Sequence, residues 1–122
     1  MARILVCEDD PVFRGLVELA LKSRGYDVSC VEDGGEAVRR MHAASFDLLI
    51  TDIVMPDRDG LELIRSMRAS GIRLPILAVT AGMPDIHGVL QKAAEAMGAN
   101  EVLLKPIPIP TLLGRVEALL AS

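Results

Sequence analysis

Four short stretches of this chain are apolar almost without a break: residues 3–7 (Arg-Ile-Leu-Val-Cys), 46–51 (Phe-Asp-Leu-Leu-Ile-Thr), 74–80 (Leu-Pro-Ile-Leu-Ala-Val-Thr) and 101–104 (Glu-Val-Leu-Leu). A fifth, 26–31 (Tyr-Asp-Val-Ser-Cys-Val), alternates in part. Runs this short between turn residues read as strands, and strands apolar on both sides need cover on both sides. The intervening stretches supply that cover, because their apolar residues recur at helical spacing. Pro11 suits a first helical turn, with Asp10 as its cap; Val12, Leu16, Leu19 and Ala20 follow, and Gly25 stops the helix near Arg24. Asp33 with Glu36 three residues on resembles a capping box for a second helix through Ala37, Val38 and Met41, ending near Ser45. Asp59 is read as the cap of a third helix carrying Leu61, Leu63, Ile64 and Met67, closed by Gly71. A fourth runs roughly over 86–97 before Gly98, and a fifth from near Ile109 to the end. Strand and helix alternate five times, which predicts an α/β fold with a parallel sheet and right-handed crossovers.

At 122 residues the chain has one domain's length, and no linker, repeat or second domain is expected. Its net charge of −4, without a basic run, argues against a direct nucleic-acid partner. No apolar run reaches the ~18–20 residues of a membrane span, so no membrane insertion is expected. No signal-peptide pattern opens the chain, and a cytoplasmic location is the default. Cys7 and Cys30 lack metal-ligand spacing and read as small buried hydrophobes in a reducing compartment.

Parallel strands bring their carboxy-terminal ends to one edge, where ligands of open α/β sheets bind. Here those ends carry Glu8, Asp9 and Asp10 after the first strand, Asp52 after the third, Thr80 at the fourth and Lys105 after the fifth. Acids from distant parts of the chain thus converge with one hydroxyl and one ammonium. Two carboxylates ~4 Å apart repel by about 4 kcal/mol at an effective dielectric of 20, and a cation removes that penalty. Oxygen-only donors select a hard ion, and Mg²⁺ combines one or two carboxylates with waters and phosphate oxygens. The cluster therefore suggests a Mg²⁺ site completed by a phosphoryl group, with Lys105 and Thr80 directed at its oxygens.

These residues carry a resemblance. Ile4-Leu5-Val6-Cys7-Glu8-Asp9-Asp10-Pro11, Asp52-Ile53-Val54-Met55-Pro56 with Asp59-Gly60, Val79-Thr80-Ala81, and Gly98-Ala99 before Leu104-Lys105-Pro106 make the chain similar to receiver domains of two-component response regulators. The likeness covers essentially the whole chain, read as a single receiver domain over 1–122 without an output domain. It implies a flavodoxin-like, doubly wound, five-stranded sheet of order 2-1-3-4-5 with five helices. It implies Asp52 as phosphoacceptor, Mg²⁺ held by Glu8, Asp9, Asp52 and the backbone carbonyl of Val54, and Lys105 and Thr80 on the phosphoryl oxygens. A cis Lys105–Pro106 bond is implied too, with Asp10 left as helix cap. The implied partners are a sensor histidine kinase or histidine phosphotransfer protein, a downstream protein target, and a second copy through the fourth helix, fifth strand and fifth helix. The domain would be a signalling phosphoacceptor rather than an enzyme with a free substrate. The alternatives are a pseudo-receiver or a flavodoxin-like binding module working without phosphorylation. A flavin site, however, wants a phosphate-cradling loop where this chain has Glu8-Asp9-Asp10.

Two features depart from the family pattern. Val102 stands where many receivers carry a moving aromatic, and the segment between Thr80 and Gly98 is longer by roughly three residues. Signal output is therefore expected through the loop after the fourth strand, with Gly82, Met83, Pro84, Asp85 and His87, and through the fourth helix. Asp57 is read as a turn residue, His42 as exposed, and Met55, Met67 and Met97 as core filling.

Overall fold

In the computed structural model the described residues are 1–55, 60–81 and 84–122, with residues 84–87 described by backbone alone. The element order is β1 (Arg3–Cys7), α1 (Pro11–Ser23), β2 (Asp27–Val31), α2 (Gly34–Ala43), β3 (Leu48–Asp52), α3 (Gly60–Ala69), β4 (Ile76–Ala81), α4 (Pro84–Met97), β5 (Glu101–Lys105) and α5 (Ile109–Ala121). The sheet is parallel throughout, in the order β2-β1-β3-β4-β5, which is the flavodoxin-like arrangement.

Unbroken apolar strands become a sheet buried on both faces because successive side chains point to opposite sides. Leu5, Cys7, Leu49 and Ala78 pack on one side with Ala37 of α2, Leu63, Ile64 and Met67 of α3 and Ala94 of α4. Ile4, Val6, Leu48, Ile50, Leu77 and Val79 pack on the other with Val17 and Leu21 of α1 and Leu112 and Val116 of α5. Each fully buried aliphatic side chain contributes about 1.5–3 kcal/mol. A one-residue slip of any central strand would exchange the two sets, so the pattern also sets the register. Met55 and Met67 are buried, Met97 packs against the core, and His42 is exposed.

The helix ends follow local chemistry. Asp10 accepts a hydrogen bond from Val12 N (3.0 Å), and Asp33 from Glu36 N (2.9 Å). Gly25, Gly71 and Gly98, read as helix stops, have φ of 85°, 80° and 120°, a region other residues enter only with strain. The Lys105–Pro106 bond is cis. Asp57, Asp59, Gly82 and Met83, and the side chains of Pro84, Asp85 and His87, fall outside the described residues.

Several expected bounds shift. β4 begins at Ile76 rather than Leu74, since Pro75 has no N–H and contributes only its carbonyl, which accepts from Leu49 N (3.1 Å). β3 starts at Leu48 rather than Phe46 and reaches Asp52, and β5 reaches Lys105, so both residues are the last of their strands. α4 starts two residues before the expected Ile86.

Arg68, in the last turn of α3, had no reading in sequence. Its guanidinium donates to the carbonyl oxygens of Gly98 (2.8 and 3.1 Å), Ile72 (2.9 Å) and Leu74 (2.8 Å), and to Asn100 Oδ1 (3.0 Å). Asn100 Oδ1 also accepts from Ile76 N (2.8 Å). This clamp ties the end of α3 to the end of α4 and the start of β4, at the sheet edge opposite the acids.

Candidate functional site

The carboxy-terminal edge gathers residues from four strand ends. Glu8 follows β1 directly, and its N–H donates to Val31 O of β2 (3.1 Å), which fixes the first acid against the sheet. Asp52 ends β3 beside Val79 of β4, and Ile53 N donates to Val79 O (2.8 Å). Thr80 and Ala81 pair with Leu104 and Lys105. Register alone thus carries Lys105 to the edge that holds the acids.

The centre of the site is the Lys105 ammonium. Its Nζ lies 2.7 Å from Glu8 Oε1 and 3.2 Å from Asp52 Oδ2. Glu8 is 2% exposed and Asp52 7%, so both charges are largely withdrawn from water. Glu8 Oε2 accepts from Asp10 N (3.1 Å), and Asp52 Oδ1 from Val54 N at a long 3.4 Å. Arg14 of α1 donates to Glu8 O (2.9 Å) and pairs with Glu32 (3.5 Å), holding the first acid's backbone from behind. Asp9 is exposed at the mouth of the site.

Glu8, Asp9 and Asp52 each offer a carboxylate oxygen, and these atoms lie within 4.8 Å of one another. Three hard oxygen donors at that spacing fit a divalent cation. The electrostatics agree. Burial, the largest effect, pushes the Glu8 carboxyl up from the ordinary 4.5 to about 7; its bonds to Lys105 and Asp10 N oppose this, and the Asp52 charge adds to it. For Lys105, burial works against the charged form, but the two carboxylates outweigh it and hold the ammonium above its usual range.

A pH dependence follows from Glu8. The folded chain keeps a proton there that the unfolded chain releases, so stability from this group is fullest below pH 4.5 and is lost as pH rises through about 7. A cation needs the deprotonated carboxylate, so its apparent affinity falls by up to ~tenfold per pH unit below that value. Thermal melts with and without Mg²⁺ between pH 5.5 and 8 are expected to show a Mg²⁺-induced rise in Tm that grows with pH. An unchanged increment across the range would contradict the Glu8 assignment.

Thr80 is fully buried, and among the described residues its Oγ1 is the buried side-chain polar atom without a hydrogen-bond partner. Such a group costs about 1–3 kcal/mol, so it calls for an explanation. Val54 is exposed beside Asp52. Gly60 was noted in sequence only as part of a motif. A Cβ at that position would overlap the carbonyl oxygen of Asp52 and come within 2.8 Å of Ile53 Cα. Its N–H donates to Ile53 O (2.7 Å), so the first turn of α3 rests directly on the end of β3. The available signal was a glycine opening a helix, where its propensity is poor and close backbone approach is the usual reason. Cys7 lies beneath the site, its thiol pushed up to about 12 chiefly by burial, and both cysteines are free.

The sequence profile of the response regulator receiver domain matches residues 4–117. The chain belongs to that family. Receiver domains gain and lose a phosphoryl group on themselves rather than turning over a free substrate, and the acidic cluster of Glu8, Asp9 and Asp52 is consistent with Mg-dependent aspartyl phosphorylation. As a class they meet histidine kinases or phosphotransfer proteins on one side and downstream targets on the other. It is 35% identical over 121 residues to the transcriptional regulatory protein TrcR of Mycobacterium tuberculosis, covering 97% of this chain and 45% of TrcR. The chain spans about half the length of the curated relatives it matches. It superposes on the chemotaxis response regulator CheY4 of Vibrio cholerae with a TM-score of 0.87 at 31% identity, covering 98% of each chain. The response regulator TrrA of Thermotoga maritima, solved in complex with Mg²⁺ and BeF, gives a TM-score of 0.83 at 31% identity, with 98% of this receiver and 99% of TrrA covered. Among the described residues no helix is long and apolar enough to cross a membrane.

Proposed function

We propose that Asp52 of this receiver is the phosphoacceptor. Glu8, Asp9, Asp52 and the Val54 carbonyl hold Mg²⁺, and Lys105 and Thr80 bind the phosphoryl oxygens. The observation that carries this reading is the lysine bridge: one ammonium from β5 reaches the buried acids at the ends of both β1 and β3. The orphaned Thr80 hydroxyl adds support, since a phosphoryl group on Asp52 would give it an acceptor. The Mg²⁺ and BeF of TrrA support this choice of ion. Bound there, Mg²⁺ neutralises phosphoryl charge and orients its oxygens.

The Asp52 carboxylate oxygen forms the new O–P bond in line with the donor. The bond from phosphorus to the donor nitrogen breaks, and the leaving imidazole keeps that electron pair. Lys105 moves its charge from the two carboxylates to the equatorial oxygens, so catalysis is positioning and electrostatics. Hydrolysis by water later returns the free carboxylate and phosphate.

The donor is a phosphohistidine on a histidine kinase or phosphotransfer protein. Val12, Leu16 and Leu19 of α1 are exposed, and Leu16 lines a cavity of about 460 Å³ with Phe13, Lys105, Pro106, Ile107 and Ile109; this apolar surface beside the lysine favours a protein donor. On the far side, exposed Val89 of α4 and Leu104 of β5 leave apolar surface for a downstream protein or a second copy. Incubation with a small phosphodonor and Mg²⁺, followed by intact mass, should add one phosphoryl group. Removal of Mg²⁺ by chelation should prevent it. A wild-type mass that never changes would overturn the reading.

A further inference from the structure

Phe13 lies on α1, away from the strands that carry the acids and the lysine. Its ring centroid is 4.5 Å from Lys105 Nζ. That ammonium also contacts Glu8 Oε1 and Asp52 Oδ2. An ammonium has three N–H groups, and two carboxylates leave one side of it for the ring face. Resting on the phosphoacceptor reading above, we propose that Phe13 is a positioning residue for phosphoryl transfer. Its ring keeps the Lys105 ammonium inside the acid cluster while that charge passes from carboxylate oxygens to phosphoryl oxygens.

Three observations lead there. First, transfer alters both of the lysine's carboxylate contacts: Asp52 gives an oxygen to phosphorus, and Glu8 is engaged by the cation. Hydrogen bonds to fixed oxygens are directional, whereas a ring face attracts a cation over a broad area. The ring is thus the contact that persists as Nζ shifts by the length of a phosphoryl group. Second, Lys105 has somewhere else to go. It lines the same cavity as Asp10, Phe13 and Pro106, and Asp10 is an exposed anion at that cavity's edge. A lysine stem has many rotamers, so an unrestrained ammonium would divide its time between Asp10, water and the site. Third, packing alone does not require an aromatic here. Phe13 is partly buried against the cluster that holds Ile107 and Leu112, and a leucine would cover much of the same surface.

The test uses the full chain with Phe13→Leu, which keeps an apolar side chain and removes the ring, and Phe13→Tyr, which keeps the ring. Initial rates of phosphorylation from phosphoramidate at saturating Mg²⁺ are compared, together with the proton shifts of the Lys105 ε-methylene without donor. Phe13→Leu is expected to slow transfer roughly 3- to 10-fold and to abolish the upfield ring shift of those protons. Phe13→Tyr should retain the shift and stay within about twofold in rate. A wild-type rate in Phe13→Leu, or an equal loss in both variants, overturns the proposal. An unchanged Lys105 shift in Phe13→Leu overturns it as well, and that readout needs no phosphodonor. Failure of the wild type to take up phosphoryl at all would instead overturn the assignment of Asp52.

Discussion

Asp52→Asn is expected to lose phosphoryl uptake altogether, a drop of at least ~10³-fold, because an amide cannot form the acyl phosphate. Intact mass after exposure to a small phosphodonor and Mg²⁺ is the direct measurement. The variant should nevertheless remain folded. Asp52 has a carboxylate oxygen of Glu8 and one of Asp9 within 4.8 Å, a repulsion of at least ~3.5 kcal/mol from each at an effective dielectric of 20 once Glu8 ionises above about pH 7, and Lys105 at 3.2 Å, worth ~5 kcal/mol on the same scale, only partly offsets the two. Asn removes that repulsion and still accepts a hydrogen bond from Lys105. The Asp52 charge is also one of the influences that raise the Glu8 carboxyl, so that carboxyl should titrate lower in the variant. The melting temperature in the absence of Mg²⁺ is therefore expected to equal or exceed that of wild type, while the Mg²⁺-induced increment shrinks. Phosphorylation of Asp52→Asn at the wild-type site would refute the assignment, and a large drop in stability would refute the charge account.

Gly60→Ala is expected to destabilise the domain by ~3 kcal/mol, lowering Tm by roughly 10 °C. The three atoms nearest to an added Cβ are all backbone: the Asp52 carbonyl oxygen, Ile53 Cα and the Asp52 carbonyl carbon. No side chain can swing aside, so either α3 lifts from β3 or the end of β3 moves, and Asp52 moves with it. Loss of stability and loss of phosphoryl uptake should thus appear together. Gly15→Ala in α1 is the control. It meets nothing within 4 Å and lies in a helix interior, so it should stabilise by about 0.5–1 kcal/mol. Urea melts of both variants give the comparison, and a Gly60→Ala curve superimposable on wild type would remove Gly60 from this role.

Glu8 and Gly60 show where reading from residues reaches its limit. The place of Glu8 at a strand end was legible, because an apolar run stops there and parallel strands share an edge. Its proton was not, because that depends on burial to 2% exposure and on a lysine 97 positions away. Gly60 was legible as a motif member but not as a contact, since the atoms it touches belong to Asp52 and Ile53 across a turn. Arg68 and Phe13 gave less signal still. An arginine in a helix reads as a solvated side chain, and a phenylalanine at an apolar position reads as core. Only the packing shows one clamping three carbonyls and the other beneath an ammonium.

From the sequence by itself came the alternation of elements, the burial of the sheet on both faces, the caps at Asp10 and Asp33, the stops at Gly25, Gly71 and Gly98, and the edge at which the acids and the lysine meet. These depend on periodicity and on the conformational limits of single residues, both of which are local. The tertiary structure decided which oxygens Lys105 bridges, which carboxyl holds a proton near neutrality, and where backbone presses on backbone beside Asp52. Those are separations of a few ångströms between residues tens of positions apart. They arise from strand register and helix packing acting together, and no local pattern encodes them.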